Sequence, residues 1–340
     1  MLTSTATLAS STAAVEAVVE EQPAVQAPEA ERPAYRPFAA RVARTQRLSP
    51  TFLRITFQSD DLRDFGDECL DQRIKLLLPV AEHGLPDLTG VGGDDWFAWW
   101  RALPDAERNP LRTYTSRAVR RELGELDIDF ALHGDMGPAS RWAGAAQVGD
   151  DIVVIGPDAL SPARGLGIEW HPGHARSLLL AGDETAAPAI CNILSSLPDD
   201  AVGCAFIEVP VTGDRLDVRV PKGVNLTWLP RDGRPNGSRL EEAVRRWVDC
   251  HVKVGALAAP DAAEPEVALA DEAQPLAEDD AEAIVWDAPV VHEGSTLYAW
   301  LAGESGCIKA MRRFLVRDTG IDRRQVAFMG YWRAGAAEGS

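Results

Sequence analysis

The chain has 340 residues and a formal net charge of −18, a length that exceeds one ordinary core and predicts about two domains. The charge is concentrated. Residues 1–31 hold five acids and residues 257–283 nine, with no Lys or Arg in either stretch, so the rest of the chain is nearly balanced. The acidic excess argues against nucleic acid as a partner.

Five cysteines, Cys69, Cys191, Cys204, Cys250 and Cys307, show no C-x-x-C spacing and leave an odd thiol, which suits a reducing compartment. The first residues lack a basic stretch followed by an apolar one, and no later segment reaches the ~20 apolar residues of a membrane span. These features predict a cytoplasmic chain with no membrane partner.

Residues 1–34, rich in Ala, Ser, Thr, Glu and Pro, predict a disordered tail. From Tyr35 the pattern becomes that of strands: residues 38–42 and 51–57 alternate apolar and polar, and further strands are expected at 73–78, 111–117, 125–133 and 151–155. Six short strands with few helices predict an antiparallel β-barrel over residues 35–170. The insertion 81–109, with Trp96, Trp99 and Trp100, either covers a barrel end or closes a loop.

Residues 177–182 form an almost wholly apolar run of the kind seen in buried parallel strands. Strands at 204–209, 224–229, 296–302 and 325–329 alternate with helices near 186–196, 238–250 and 305–319. This rhythm predicts a doubly wound parallel sheet over residues 171–335, with the acidic segment 257–283 as a mobile insertion.

Two motifs carry chemistry. In Arg112-Thr-Tyr114-Thr115, Arg112 and Tyr114 share one face of a strand, a guanidinium for a phosphate beside a ring for a flat cofactor, and Thr115 offers a donor to a ring nitrogen. In His133-Gly-Asp-Met-Gly137-Pro138-Ala139-Ser140, Pro138 suits a first helical position, and the N–H groups of Ala139 and Ser140 would point at an anion. Taken alone, the first motif also fits an ordinary strand and the second a capped helix.

Together, and followed by an α/β half, these motifs resemble the ferredoxin-reductase-like flavoenzymes. The wording is closer still to the siderophore-interacting protein family, through Arg112-Thr-Tyr-Thr115, Asp129 to Ala143, Leu180-Ala-Gly-Asp-Glu-Thr-Ala-Ala-Pro-Ala-Ile190, Ala302-Gly-Glu-Ser305 and Gly330-Tyr-Trp-Arg333. The resemblance spans about residues 35–335.

It implies FAD on the barrel, with Arg112, Tyr114 and Thr115 around the flavin and His133, Gly137, Ala139 and Ser140 near its phosphates. It also implies NADPH or NADH as electron donor, ferredoxin in some members, and a ferric siderophore whose iron is released by reduction. Gly182, Asp183, Glu184, Thr185, Gly303 and Glu304 fall at expected strand ends, the ligand edge of such a sheet. Glu208 is placed to accept from a ribose 2'-hydroxyl, as for NADH, and Arg215 to meet a 2'-phosphate, as for NADPH; both readings stand. By analogy with related reductases Trp332 shields the flavin, or else it packs a domain interface.

Arg73, Lys75 and Arg333 are the basic candidates for an anionic siderophore. The histidines show no metal-ligand spacing, so no metal site is assigned. Two other functions fit the same residues: a general flavin reductase or electron-transfer flavoprotein with a non-iron acceptor, and a siderophore-binding module without catalysis.

Overall fold

A computed structural model describes residues 32–88, 91, 95–132, 137–255, 286–289 and 295–335, the last five residues of the long segment by backbone alone. Residues 1–31 of the expected tail, His133 and the acidic segment 257–283 lie outside the described residues. Both sheets belong to one compact unit, Arg32–Ser340.

The first sheet contains β1 (Tyr35–Arg47), β2 (Phe52–Gln58), β3 (Arg73–Leu77), β4 (Leu111–Thr115), β5 (Ala118–Arg120), β6 (Glu125–Ala131) and β7 (Asp151–Pro157). They pair antiparallel in the order β4-β3-β7-β1-β2-β6-β5. Its edges are β4 and β5, yet only Ser116 and Arg117 separate them. Seven flat strands would hold their edges about 29 Å apart. The three Cα steps from Thr115 to Ala118 cover at most about 11 Å. The sheet therefore curls as a barrel does, around a core that includes Phe38, Ile55, Phe57, Ile74, Leu76, Leu126, Ile128, Phe130 and Val154.

Strand β6 differs from the half-exposed pattern expected of alternation, because Glu125 to Phe130 are buried on both faces. Arginines from β1, β2 and β5 cover its outward carboxylates: Arg44 binds Glu125 at 2.7 Å, Arg120 binds Asp127 at 2.7 Å and Arg54 binds Asp129 at 2.7 Å. The hydrogen bond from Arg44, with Arg120 adding to it, holds the Glu125 carboxyl down at about 2.

A short helix not expected from the sequence, α1 (Trp96–Ala102), lies within the insertion. It seats Trp100 on Leu77, Leu111, Val153 and Ile155, so the insertion covers the outer flank of β3, β4 and β7. Asn109, fully buried, fixes the loop by donating to Leu78 O at 2.8 Å and Gly84 O at 2.7 Å. The next helix, α2 (Pro138–Ala145), follows β6.

The second sheet contains β8 (Ser177–Gly182), β9 (Val202–Val209), β10 (Gly223–Pro230), β11 (Trp286–Asp287), β12 (Leu297–Glu304) and β13 (Val326–Trp332), in the order β10-β9-β8-β12-β13-β11. All are parallel except β11, an unexpected antiparallel edge strand of two residues. Helix α3 (Ala187–Ser196) packs on one face, while α4 (Ser238–Gly255) and α5 (Ser305–Arg313) pack on the other, the doubly wound arrangement.

Buried polar contacts join the sheets. Asp214, fully buried after β9, accepts from Ser49 Oγ at 2.7 Å, Thr51 N at 2.8 Å and Thr51 Oγ1 at 2.8 Å in the β1–β2 turn. Asn192 of α3 donates to Leu70 O and Ser116 O, both at 2.8 Å, and accepts from Arg117 at 2.8 Å. Asp71 accepts from Trp300 Nε1 of β12 at 3.0 Å and from the N–H groups of Glu169 and Trp170. No helix among the described residues is long and apolar enough to cross a membrane.

Candidate functional site

On β4, Arg112 and Tyr114 share one face, as strand geometry requires. The Tyr114 ring lies 4.5 Å from that of Phe130 on β6, and Phe130 in turn lies 6.3 Å from Trp142 on α2. One buried ring thus brings together two motifs that are separate in the sequence. Thr115, 6% exposed, closes the strand where it meets the α3 contact through Ser116.

Gly137 adopts φ 150°, a conformation that L side chains avoid, and a Cβ there would meet nothing within 4 Å. The first helical bond of α2 runs from Arg141 N to Gly137 O at 3.1 Å, so the N–H groups of Ala139 and Ser140 precede the ladder and point outward. Open space before a helix start, beside an arginine and a tyrosine on an edge strand, fits a flavin that carries a diphosphate. His133 lies outside the described residues.

The carboxyl ends of the parallel strands form a second locus. Asp183, 1% exposed after β8, accepts from Thr185 N at 2.9 Å, Thr185 Oγ1 at 2.5 Å and Glu304 N at 2.9 Å. It also accepts from Trp332 Nε1 at 2.8 Å. Burial, with the charge of Glu184 beside it, raises its carboxyl above the usual range. Gly303, at φ 147°, would place a Cβ 2.7 Å from that carboxylate, so the close approach of β8 and β12 needs glycine there. Glu184 is taken by a forked pair with Arg231, and Glu304 caps α5 by accepting from Cys307 N at 2.8 Å.

Gly182–Thr185 and Gly303–Glu304 therefore meet at one rim, where the carboxylates of Asp183, Glu184 and Glu304 are each held by protein donors. Glu208 departs further from the ribose role assigned by its place in the sequence. It is fully buried and accepts from Gly237 N, Arg239 N and Leu240 N at the start of α4. The sequence held no local sign of this, since the donors lie about thirty residues away.

Trp332 is fixed at the same rim by Asp183, and its carbonyl accepts from Ser305 Oγ at 2.9 Å. Its neighbour Tyr331 packs with Met329 on the cluster containing Phe52 and Trp170. The ladder to β12 shifts register here, with Gly303 opposite Gly330 and Glu304 opposite Trp332, so Tyr331 is the extra residue of the strand.

Arg73 and Lys75 share the outer face of β3, but their partners differ. Arg73 binds Glu169 at 2.7 Å and stacks 4.0 Å over the Trp286 ring, so it ties the barrel to β11. Lys75 donates to Thr113 Oγ1 at 2.7 Å on the adjoining strand. Arg333 follows β13, next to Trp332. The interdomain residues Asp71, Asn192 and Asp214 were not singled out from the sequence, because their role depends on donors distant in the chain.

A curled antiparallel barrel that offers a flavin cradle, packed on a doubly wound sheet with its strand ends at one rim, defines the ferredoxin-reductase-like class of flavoprotein. The family model of a siderophore-interacting FAD-binding domain matches residues 41–160, and that of the siderophore-interacting protein matches residues 175–335. The chain is 30% identical over 300 residues to ferric vibriobactin reductase ViuB of Vibrio cholerae, covering 87% of this chain and 89% of that one. The chain therefore belongs to the siderophore-interacting protein family.

It is also 32% identical over 206 residues to the NADPH-dependent ferric-chelate reductase of Escherichia coli, covering 59% of this chain and 74% of that one. Among solved structures, the siderophore-interacting protein SipS from Aeromonas hydrophila aligns with a TM-score of 0.60 at 31% identity, over 90% of this chain and 95% of that one. A ferredoxin NADP+ reductase from Neisseria gonorrhoeae shares the fold, with a TM-score of 0.52 at 13% identity over 87% of this chain and 99% of that one.

Proposed function

We propose that the protein is an FAD-dependent reductase that takes electrons from a nicotinamide nucleotide and delivers them to a ferric siderophore, releasing iron(II). The observation that carries this reading is the convergence of Arg112-Thr-Tyr-Thr115 and the Gly137 helix start on Phe130. It is supported by relatives named as ferric vibriobactin reductase and NADPH-dependent ferric-chelate reductase.

Arg112, Tyr114 and Thr115 hold the ring system and its nearer phosphate, while Gly137, Ala139 and Ser140 receive the diphosphate. The flavin supplies the conversion of a two-electron donor into one-electron steps. The chain's own groups bind, orient and exclude water. The buried contacts of Asp71, Asn192 and Asp214 hold the rim of the second sheet in a fixed relation to β4, so the donor's landing place is built into the fold. Lys75 and Arg333 offer positive charge to an anionic chelate. No general acid, nucleophile or resident metal is needed, because iron(II) binds hard oxygen ligands far less well than iron(III).

The test is a visible spectrum of the purified protein before and after anaerobic NADPH or NADH, followed by a ferric siderophore and a ferrous-iron trap. A yellow protein that bleaches and then reoxidises as trapped iron(II) appears is the expected result. A protein that takes up no FAD but still binds siderophore would establish the binding module in its place. Reoxidation by quinones or free flavins, but not by ferric chelates, would establish a general flavin reductase.

A further inference from the structure

Of the buried joins made by Asp71, Asn192 and Asp214, the one at Asn192 reaches the end of β4, the strand of Arg112 and Tyr114. Strand β4 stops at Thr115, and the chain then crosses from one edge of the barrel to the other within a single peptide. Ser116 N still donates to Gln72 O at 3.2 Å beside β3, whereas Arg117 N donates to Asp127 O at 3.0 Å on β6. The peptide between Ser116 and Arg117 is therefore the seam of the barrel.

Its carbonyl is held from the other sheet. Asn192 of α3, itself buried, donates through Nδ2 to Ser116 O at 2.8 Å, and its Oδ1 accepts from Arg117 Nη1 at 2.8 Å. The second Nδ2 hydrogen goes to Leu70 O at 2.8 Å. Both amide hydrogens and the oxygen of this side chain are thus committed to residues beside β3 and β4. Arg117 in turn reaches Asp129 of β6 at 3.3 Å.

The backbone at Leu70 adds an observation of a different kind. Cys69 and Leu70 hold φ 53° and 45°, a left-handed conformation that costs residues with a side chain about 1 kcal/mol or more each. Such a turn persists where its surroundings hold it. Here Gln72 N donates to Cys69 O at 2.7 Å, and Asn192 holds Leu70 O. The turn leads into β3, whose Arg73 pairs with Thr115 in the ladder. Asn192 therefore fixes Thr115 twice, through the seam peptide that follows it and through the strand that pairs with it.

The N-terminal end of the same helix stands at the rim of the second sheet. Ala186 N and Ala187 N both donate to Asp183 O, at 3.0 and 3.1 Å. From Ala187 to Asn192 the helix runs about 7.5 Å along its axis, and all residues from Ala187 to Leu194 are buried. Helix α3 is thus a short strut between the strand-end loop and the barrel seam.

We propose that Asn192 is a positioning residue for the flavin reaction: from the second sheet it sets the place of Thr115 against the flavin ring, and with it the balance between oxidised and reduced cofactor. The proposal rests on the reductase reading above, in which Thr115 is among the residues that hold the ring system. Hydrogen bonds to the ring nitrogens tune a flavin, because a donor stabilises the two redox states unequally.

The test measures the midpoint potential of the FAD-loaded protein by anaerobic titration against a reference dye, beside fluorescence titration of the apoprotein with FAD. Asn192→Asp keeps the shape of the side chain and an acceptor for Arg117 but removes both N–H donors. It should change the ratio of affinities for oxidised and reduced FAD by roughly tenfold, which is about 30 mV for a two-electron couple. Asp214→Ala is the control: it breaks a join between the same two sheets without touching β4, and its potential should stay at the wild-type value despite a lower Tm. Should Asn192→Asp not fold, Arg117→Lys decides in its place, since it keeps a charge beside Asp129, loses the guanidinium contact to Asn192 and should shift the potential in a folded protein. An unshifted potential in the deciding variant, or an equal shift in Asp214→Ala, would overturn the positioning role and leave the reductase standing. A wild-type protein that takes up no FAD would remove the reductase reading, and this role with it.

Discussion

Trp332 donates its indole N–H to Asp183 across 2.8 Å, joining the end of β13 to the end of β8 over the intervening β12. The same carboxylate holds Thr185 N, Thr185 Oγ1 and Glu304 N, so one buried side chain ties three strand ends at the rim where a nicotinamide would land. Asp183→Ala leaves several buried neutral donors unpaired, each at a cost of about 1–3 kcal/mol, and should be strongly destabilising. Trp332→Phe removes one donor of five and should cost about 1 kcal/mol. Urea unfolding of both variants checks the order. Equal losses would mean that packing of the indole, rather than its hydrogen bond, holds the rim.

Asp214 makes the corresponding join between the sheets. It is fully buried and accepts two hydrogen bonds from Thr51 and one from Ser49, besides Val211 N at 3.1 Å in its own turn. Asp214→Ala leaves four neutral donors without their acceptor, at about 1–3 kcal/mol for each that stays unpaired, and should lower stability by several times the effect of a single lost bond. Ser49→Ala, which leaves the carboxylate its other donors, should lower it by about 1 kcal/mol. If barrel and α/β signals were to unfold separately in Asp214→Ala but together in wild type, the contact would also be shown to couple the two cores.

Much of this architecture was legible because it obeys local rules. Period-two alternation marked the barrel strands, an apolar run marked β8, and Gly137-Pro138 marked the start of α2. What escaped the sequence depends on partners far along the chain. Nothing near Glu208 shows that its acceptors are used by Gly237, Arg239 and Leu240, and nothing near Arg73 shows that it rests on Trp286. The two-residue strand β11 is too short to carry a period, and α1 was obscured by a Trp-rich segment that reads equally well as loop. The candidate cradle was therefore visible as motifs, while the roles of the acidic rim depended on the fold.

Asp71 gives a pH dependence whose sign is opposite to that of a paired surface carboxylate. Burial raises its carboxyl from 3.8 to about 6, even though Trp300 Nε1 and backbone N–H groups donate to it. Between these values the folded protein holds a proton that the unfolded chain has lost, so the stabilisation is complete below about pH 4 and is lost as pH rises through about 6. The shift amounts to about 3 kcal/mol across that window. Unfolding free energies measured from pH 4 to 7 should fall more steeply in wild type than in Asp71→Asn; parallel curves would show that Asp71 titrates normally.

Gly137 links backbone geometry to cofactor retention. Because a Cβ there would meet nothing within 4 Å, the penalty of Gly137→Ala comes from φ 150° alone. It should be about 1–3 kcal/mol. If the helix start relaxes to relieve it, Ala139 and Ser140 no longer aim at the diphosphate, and FAD should dissociate more readily. Fluorescence titration of the apoprotein with FAD reads this directly; unchanged affinity together with the expected stability loss would remove the Gly137 turn from the cofactor site.

Arg73 and Lys75, neighbours on one face of β3, should separate cleanly on mutation. Arg73 spends its charge on Glu169 and its guanidinium face on Trp286, so Arg73→Ala removes an ion pair and a cation–π contact between the barrel and the second sheet. The expected loss is about 1–2 kcal/mol, visible as a lowered Tm. Lys75 donates to Thr113 Oγ1 on the next strand, and its ammonium lies on the outer face of the sheet beside β4. Lys75→Ala should leave the Tm near wild type and weaken binding of an anionic ferric siderophore by roughly tenfold, the scale of one charge-assisted contact. Thermal melts run beside siderophore titrations distinguish the two residues. Should Arg73→Ala melt like wild type and bind siderophore as weakly as Lys75→Ala, the interdomain role of Arg73 would give way to a place in the substrate pocket.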